Sequence, residues 1–281
     1  MRHYAFKLVN VFAESQFGGN PLAVFPQADG LSDTEMQQIA AQFNLSETVF
    51  IFPATDGKAV ASLRIFTPKA ELPFARHPTL GAAFVLQQHH NLPEHFSVNT
   101  PAKAVRLSGN QSKMTLAVQG YTISPSLAAH QQLAQATGLK PEQIADTAYW
   151  LNSGSPQLLL QATDAAAIEQ VQMDYAALAR ICRKDQGRTA LYLWYEQDGN
   201  IDARFFYAAN GTLLEDSGTG SACANLGGYF LAQGRFPLSR LIRQGDQMGR
   251  PNRLYLTLDA QQTIYVGGNV AEVGEGVFKL A

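Results

Sequence analysis

The chain has 281 residues, 46% hydrophobic and 16% charged, with a formal net charge of −2 at pH 7. That length and apolar share suit a globular protein with material for two cores. The near-neutral charge and the lack of any Lys/Arg run argue against nucleic acid as a partner, and no apolar run is long enough to span a bilayer. The opening Met1–Lys7 has no signal-peptide core, so a cytoplasmic protein is expected. The two cysteines, Cys182 and Cys223, lie in no CxxC, and the histidines show no ligand spacing. No metal is therefore expected, and the thiols read as buried and reduced.

In chain order, Lys7–Phe12 and Leu22–Phe25 read as strands around a Gly18-Gly19-Asn20-Pro21 turn. Ser32 followed by Glu35 is a capping box. Met36, Ile39, Ala40 and Phe43 follow at helical spacing, which predicts an amphipathic helix over Asp33–Phe43. Thr48–Phe52 is a short apolar run, hence a buried strand, with Ala61–Phe66 as hairpin partner across an Asp56-Gly57 turn. Pro78 suits the first turn of a helix running to about Gln88, with His77 at or near its N-cap. Strands near Phe96–Asn99, Ala104–Leu107 and Lys113–Ala117 complete the first half.

The chain crosses to its second half around Val118–Ser126. Ser126–Thr137 and Pro141–Ile144 read as helical, with Gly138 as a stop. A strand at Leu158–Gln161 and a helix near Tyr175–Arg183 follow. Thr189–Tyr195 and Ile201–Tyr207 form a hairpin around Asp198-Gly199. The helix from about Gly220 to Gln233 is apolar nearly all round, so it should be buried on most sides. Short strands are expected at Leu254–Leu258, Ile264–Val266 and Val277–Leu280.

The halves repeat one another. Arg64, Phe66, Thr79, Ala82 and Leu86 match Arg204, Phe206, Thr219, Ala222 and Leu226 at one constant offset. Gly19-Asn20-Pro21 and Gly154-Ser155-Pro156 each precede an apolar run. A repeat of this length points to a duplicated architecture. Each copy sets a polar turn at the start of an apolar helix, where unspent N–H groups and the helix dipole attract anions. Two such turns could hold one small carboxylate between the halves.

Glu47 sits at the mouth of the apolar strand Thr48–Phe52. Partial desolvation there raises a carboxyl pKa toward working pH, as a proton shuttle needs; the alternative is a solvated residue in a connection. His77 reads either as a neutral donor or acceptor near a helix start or as a plain cap. Asp216 could orient a histidine, bind an ammonium or cap the helix. Ser221, with the N–H groups of Gly220 and Ser221, could grip a carboxylate. Gly218-Thr219-Gly220-Ser221 lacks the lysine of a phosphate loop, and GxGxxG is absent, so no nucleotide site is expected.

Taken together, Val9-Asn10-Val11-Phe12, Phe17-Gly18-Gly19-Asn20-Pro21, Leu45-Ser46-Glu47-Thr48, Phe66-Thr67-Pro68, His77-Pro78-Thr79-Leu80-Gly81-Ala82-Ala83, Glu215-Asp216, Thr219-Gly220-Ser221-Ala222 and Gln244-Gly245-Asp246 resemble the phenazine-biosynthesis PhzF-like family of the diaminopimelate-epimerase-like superfamily. The resemblance runs over essentially the whole chain. It implies an α+β fold of two pseudo-symmetric domains, each a curved, mostly antiparallel sheet wrapped around a central helix. The domains would be 1–118 with 264–281, and 119–263, with the active site between them and a homodimer as the usual assembly. It implies a cofactor-independent isomerase moving a proton on a small carboxylate-bearing substrate. Glu47 would be the acid/base, with His77 and Asp216 completing the catalytic set. Asn20, Thr79, Thr219, Gly220 and Ser221 would bind substrate, and Arg76, which departs from the family pattern, could add a bidentate carboxylate or phosphate contact or plug the site. No thiol pair stands in the two turns, so two-cysteine racemisation is not expected. The family pattern has Gly where this chain has Arg76, and Ser217-Gly218 replaces a Pro and a small apolar residue, which should loosen the second turn. A homologue that binds a small carboxylate without turning it over is the alternative reading.

Overall fold

The computed structural model describes the chain except Thr55, Asp56, Gln111 and Asn210; the expected Asp56-Gly57 turn therefore lies partly outside the described residues. The chain divides into two compact units, Met1–Ala117 with Gly267–Ala281, and Val118–Val266.

The first unit contains β1 (Arg2–Val11), β2 (Asn20–Phe25), α1 (Asp33–Phe43), β3 (Thr48–Pro53), β4 (Ala61–Phe66), β5 (Glu71–Leu72), α2 (Arg76–His89), β6 (His95–Asn99), β7 (Ala104–Asn110) and β8 (Lys113–Val118). β1 and β2 are antiparallel, β2 and β3 parallel, and β3 and β4 antiparallel. β4 then pairs with β5 antiparallel and with β6 parallel, and β7 follows β6 antiparallel. Parallel neighbours need a long crossover, and the two helices supply it: α1 between β2 and β3, α2 between β4 and β6. The Ser32–Glu35 capping box forms as the spacing predicts, and Asn44 ends α1 with φ at 51°. Met36, Ile39 and Ala40 of α1 join Phe25, Phe50 and Phe66 in one apolar cluster.

Every residue of α2 from Arg76 to Leu86 is buried. Gly81 lets this helix approach the sheet, since a Cβ there would stand 2.4 Å from Leu22 Cδ2. The last strand, β17 (Ile264–Leu280), pairs antiparallel with β1 from Val11↔Val270 to Arg2↔Leu280. The sequence predicts two short strands here. The four glycines from Gly267 to Gly276 depress apparent strand propensity. Neighbouring side chains fill the space two of them leave: a Cβ at Gly276 would stand 2.7 Å from Phe6 Cζ, and one at Gly267 2.4 Å from Thr115 Oγ1.

The second unit contains β9 (Thr122–Pro125), α3 (His130–Thr137), β10 (Tyr149–Asn152), β11 (Gln157–Gln161), α4 (Ala165–Gln170), α5 (Tyr175–Lys184), β12 (Ala190–Gln197), β13 (Asn200–Ala209), β14 (Thr212–Asp216), α6 (Gly220–Ala232), β15 (Leu238–Gln244) and β16 (Asn252–Leu258). Its pairing repeats that of the first unit. β10 and β11 are antiparallel, β11 and β12 parallel, and β12 and β13 antiparallel. β13 pairs with β14 antiparallel and with β15 parallel, and β16 follows antiparallel. The Asp198-Gly199 turn has φ of 52° and 77° between the paired Gln197 and Asn200, as a two-residue hairpin requires. α3 begins four residues later than the sequence predicts. The Ser126 N–H bonds to Ala148 O and its hydroxyl to Asp185, so this segment is committed to a neighbouring strand and helix end.

The repeated arginines perform the same task in both units. Arg64 forks onto Glu71 and lies 5.3 Å over the Phe66 ring. Arg204 forks onto Glu215 and lies 4.9 Å over the Phe206 ring. In each case the glutamate is the cross-strand partner of that phenylalanine. Among the described residues no helix is long and apolar enough to cross a membrane.

Candidate active site

In the first unit the site grows from the start of α2. Ala75 is the N-cap, without a side-chain cap, and Arg76 opens the helix, so His77 lies in the first turn, near the cap as expected. His77 is buried, at 6% exposure. Its Nδ1 stands 3.3 Å from Glu47 Oε2. Glu47 is half-buried at the entry to β3. His77 also bonds to the backbone of Pro21. Proline offers only a carbonyl, so the imidazole must donate. Nε2 is buried without a protein partner, so the donor is Nδ1–H and Nε2 keeps an open lone pair. Burial holds the His77 pKa down to about 3, against the raising effect of the Pro21 bond. The ring is therefore neutral at physiological pH, a hydrogen-bond acceptor beside a carboxylate.

The turn before β2 supplies that Pro21 carbonyl. Gly19 there has φ at 78°, and a Cβ would stand 2.7 Å from Val11 O. Asn10 Nδ2 donates to Gln16 O and braces the same loop. Asn20 is buried as the partner of Val11. Thr79 is fully buried, and its hydroxyl donates to Ala75 O at 2.7 Å. Arg76 is buried with its guanidinium 5.4 Å from the centre of the Phe74 ring. Lys103 Nζ lies 5.1 Å from that ring, its pKa lowered by burial and by the Arg76 charge.

In the second unit the corresponding turn runs from Asp216, the last residue of β14, to Gly220, the first of α6. Thr219 Oγ1 donates to Asp216 Oδ2 at 2.5 Å and accepts from Gln244 Nε2 at 3.0 Å. Gln244 also donates to Asp216 O and accepts the Thr219 N–H. This clasp brackets Ser217-Gly218 from both sides. Gly218 is packed so closely that a Cβ would stand 2.1 Å from Asn252 Oδ1. Ser221 follows in the first turn of α6, and its Oγ accepts from Gln157 Nε2 at 2.8 Å.

Glu47 and His77 thus meet within one unit, and Asp216, Thr219, Gly220 and Ser221 share one short turn within the other. Sequence reasoning assigned no role to Gln157, Asn225, Gln244 or Asn252. Asn225 did leave a signal, as the polar residue within the apolar stretch Ala222–Leu226 of α6, and Gln157 opens the otherwise apolar run of β11. A separate cavity of about 470 Å³ in the first unit, lined by His3, Tyr4, Asp29, Phe52 and His90 among others, includes none of the candidate site residues.

A family model for phenazine biosynthesis-like proteins matches residues 9–276. An uncharacterised isomerase of Pasteurella multocida is 50% identical, covering 97% of this chain and 93% of its own length. A trans-2,3-dihydro-3-hydroxyanthranilate isomerase of Pseudomonas chlororaphis is 30% identical over the full length of both chains. A Bacillus anthracis phenazine biosynthesis protein of the PhzF family superposes with a TM-score of 0.86 at 19% identity, covering all of both chains, and so shares the mixed-sheet fold with few helices. With the family model spanning nearly all of it and two named isomerases aligned along almost its whole length, the chain belongs to the phenazine biosynthesis-like family.

Proposed function

We propose that this protein is a cofactor-independent isomerase that moves a proton on a small carboxylate-bearing substrate, with Glu47 as the acid/base. Named isomerases among its full-length relatives support the reaction class. The observation that carries the residue assignment is the Glu47–His77 contact, with the ring neutral and Nε2 open.

Glu47 takes an acidic C–H proton, and the electron pair spreads toward the substrate carboxylate. Helix-start N–H groups and the Ser221 hydroxyl stabilise the charge that develops. Glu47 then returns the proton to another carbon and is again a carboxylate. One C–H bond breaks and one forms, so the step needs no oxidant or co-reactant. The neutral His77 ring flanks Glu47 while its Nδ1 proton goes to Pro21 O, and Nε2 keeps its lone pair for a substrate N–H or O–H. The Asp216–Thr219 clasp fixes the turn from which Gly220 and Ser221 act.

The compound in the relatives' name, trans-2,3-dihydro-3-hydroxyanthranilate, is the first probe. Wild-type protein in D2O should wash deuterium into its ring carbon positions, and Glu47→Gln should abolish that exchange. Exchange undiminished in Glu47→Gln removes Glu47 from the mechanism. The buried Arg76, where the family pattern has Gly, favours a second reading: a binder of small carboxylates without turnover. A carboxylate that binds tightly to wild-type protein, while no member of a carboxylate panel exchanges its C–H protons, would decide for that reading.

A further inference from the structure

The polarity of one hydroxyl is fixed by a chain of hydrogen bonds that begins on the backbone. The Ser153 N–H donates to Asn225 Oδ1 at 2.8 Å, which settles which end of the Asn225 amide is oxygen. Asn225 Nδ2 consequently donates to Ser155 O at 2.9 Å and to Gln157 Oε1 at 2.8 Å. That second bond settles the Gln157 amide in turn. Its Nε2 faces Ser221 Oγ at 2.8 Å and can only donate. Asn225 is fully buried and Gln157 nearly so, at 1% exposure, so water does not compete for these groups.

Ser221 Oγ therefore receives a proton and must send its own elsewhere. Among the described residues no acceptor takes it. The neighbouring hydroxyls differ. Thr219 spends its proton on Asp216 and Thr79 spends its on Ala75 O. We propose that Gln157 and Asn225 are positioning residues that turn the Ser221 hydroxyl proton away from Gln157, so that the second unit offers it to an oxygen acceptor on the substrate, a carboxylate oxygen above all. This rests on the proposed isomerase reading for the identity of the acceptor, though not for the polarity itself.

Gln157→Glu is the informative variant. A carboxylate at 157 still accepts from Asn225, but it accepts from Ser221 as well and so captures the hydroxyl proton. With trans-2,3-dihydro-3-hydroxyanthranilate as probe, KM should rise about ten- to hundred-fold, as expected for one lost charge-assisted hydrogen bond, with kcat changed much less. In a Ser221→Ala background, Gln157→Glu should add nothing. An undiminished effect in that background means the new charge acts by repulsion, and an unchanged KM means Ser221 is not the donor; either overturns the proposal. Neutron diffraction from deuterated, ligand-free crystals reads the polarity without any substrate. The deuteron between residues 157 and 221 should sit on Gln157 Nε2, with the Ser221 deuteron directed away. A Ser221 deuteron aimed at Gln157 sinks the inference. A wild type inert toward the probe counts against the proposed substrate, and the neutron map then decides the polarity alone.

Discussion

His77 Nδ1 lies 3.3 Å from Glu47 Oε2, inside the first unit and at the start of its buried helix. In the proposed mechanism the two residues act together: the neutral ring flanks the carboxylate, and Pro21 O keeps Nδ1 protonated. Replacing His77 by Phe removes the polar neighbour of Glu47 and the unpartnered Nε2 together. Solvent deuterium exchange into a turned-over substrate should fall by about 10²-fold or more, in the range for a positioned acid–base group. Proton NMR in D2O measures it, and exchange within a few-fold of wild type would separate His77 from the chemistry.

The same burial sets a pH signature. In the unfolded chain His77 takes its proton near pH 6.5, in the folded protein at about 3. Between these values the unfolded state binds more protons. His77 thus costs nothing above pH 6.5, and stability is lost as pH falls from 6.5 toward 3, by about 1.4 kcal/mol per pH unit. Urea titrations at pH 7, 6, 5 and 4 should show that slope, and His77→Phe should flatten it by one proton. Nitrogen-15 NMR should also find the Nδ1–H tautomer from pH 5 to 8; an imidazolium at pH 6 contradicts the assignment.

Gly218→Ala tests whether the second turn is packed or merely flexible. The added methyl would meet Asn252 Oδ1 at 2.1 Å, a buried oxygen that has little room to retreat. Overpacking of this kind costs about 1–3 kcal/mol. Denaturant unfolding should show that loss, and pairing the change with Asn252→Ala should recover part of it. A Gly218→Ala protein as stable as wild type would mean that the turn yields freely.

The two repeated Arg–Glu forks should not be worth the same. Arg204 and Glu215 expose 12% and 16% of their side chains, against 27% and 32% for Arg64 and Glu71. Truncating the more buried cation leaves a carboxylate with less water to turn to. Arg204→Ala should therefore cost about 3 kcal/mol and Arg64→Ala about 1 kcal/mol. Equal losses in paired thermal melts would show that solvent reaches both sites alike.

Local chemistry decided much of this protein within the sequence itself. The Ser32–Glu35 box set the start of α1, and Asp198-Gly199 set a hairpin, because those motifs satisfy their own neighbouring backbone. The constant-offset arginines were legible for the same reason: each fork and ring contact closes within a few residues of adjacent strands. Elements whose partners are remote were misread. Ser126 was expected to open a helix, but its bonds go to Ala148 and Asp185. Tyr149–Asn152 and Leu238–Gln244 carry no strand signal strong enough without the strands they join.

Among the candidate residues, the sequence marked Glu47, His77, Asp216 and Ser221 by chemical type and by their place near a strand mouth or a helix start. It could not decide that His77 sits inside rather than on the cap, which nitrogen keeps the proton, or that Thr219 has no hydroxyl proton to spare. Nor could it join Gln157 to Ser221, 64 residues further on, or to Asn225, 68 residues further on. Charge state, tautomer and hydroxyl direction follow from burial and from hydrogen bonds between distant segments, and only the folded chain brings those segments into contact.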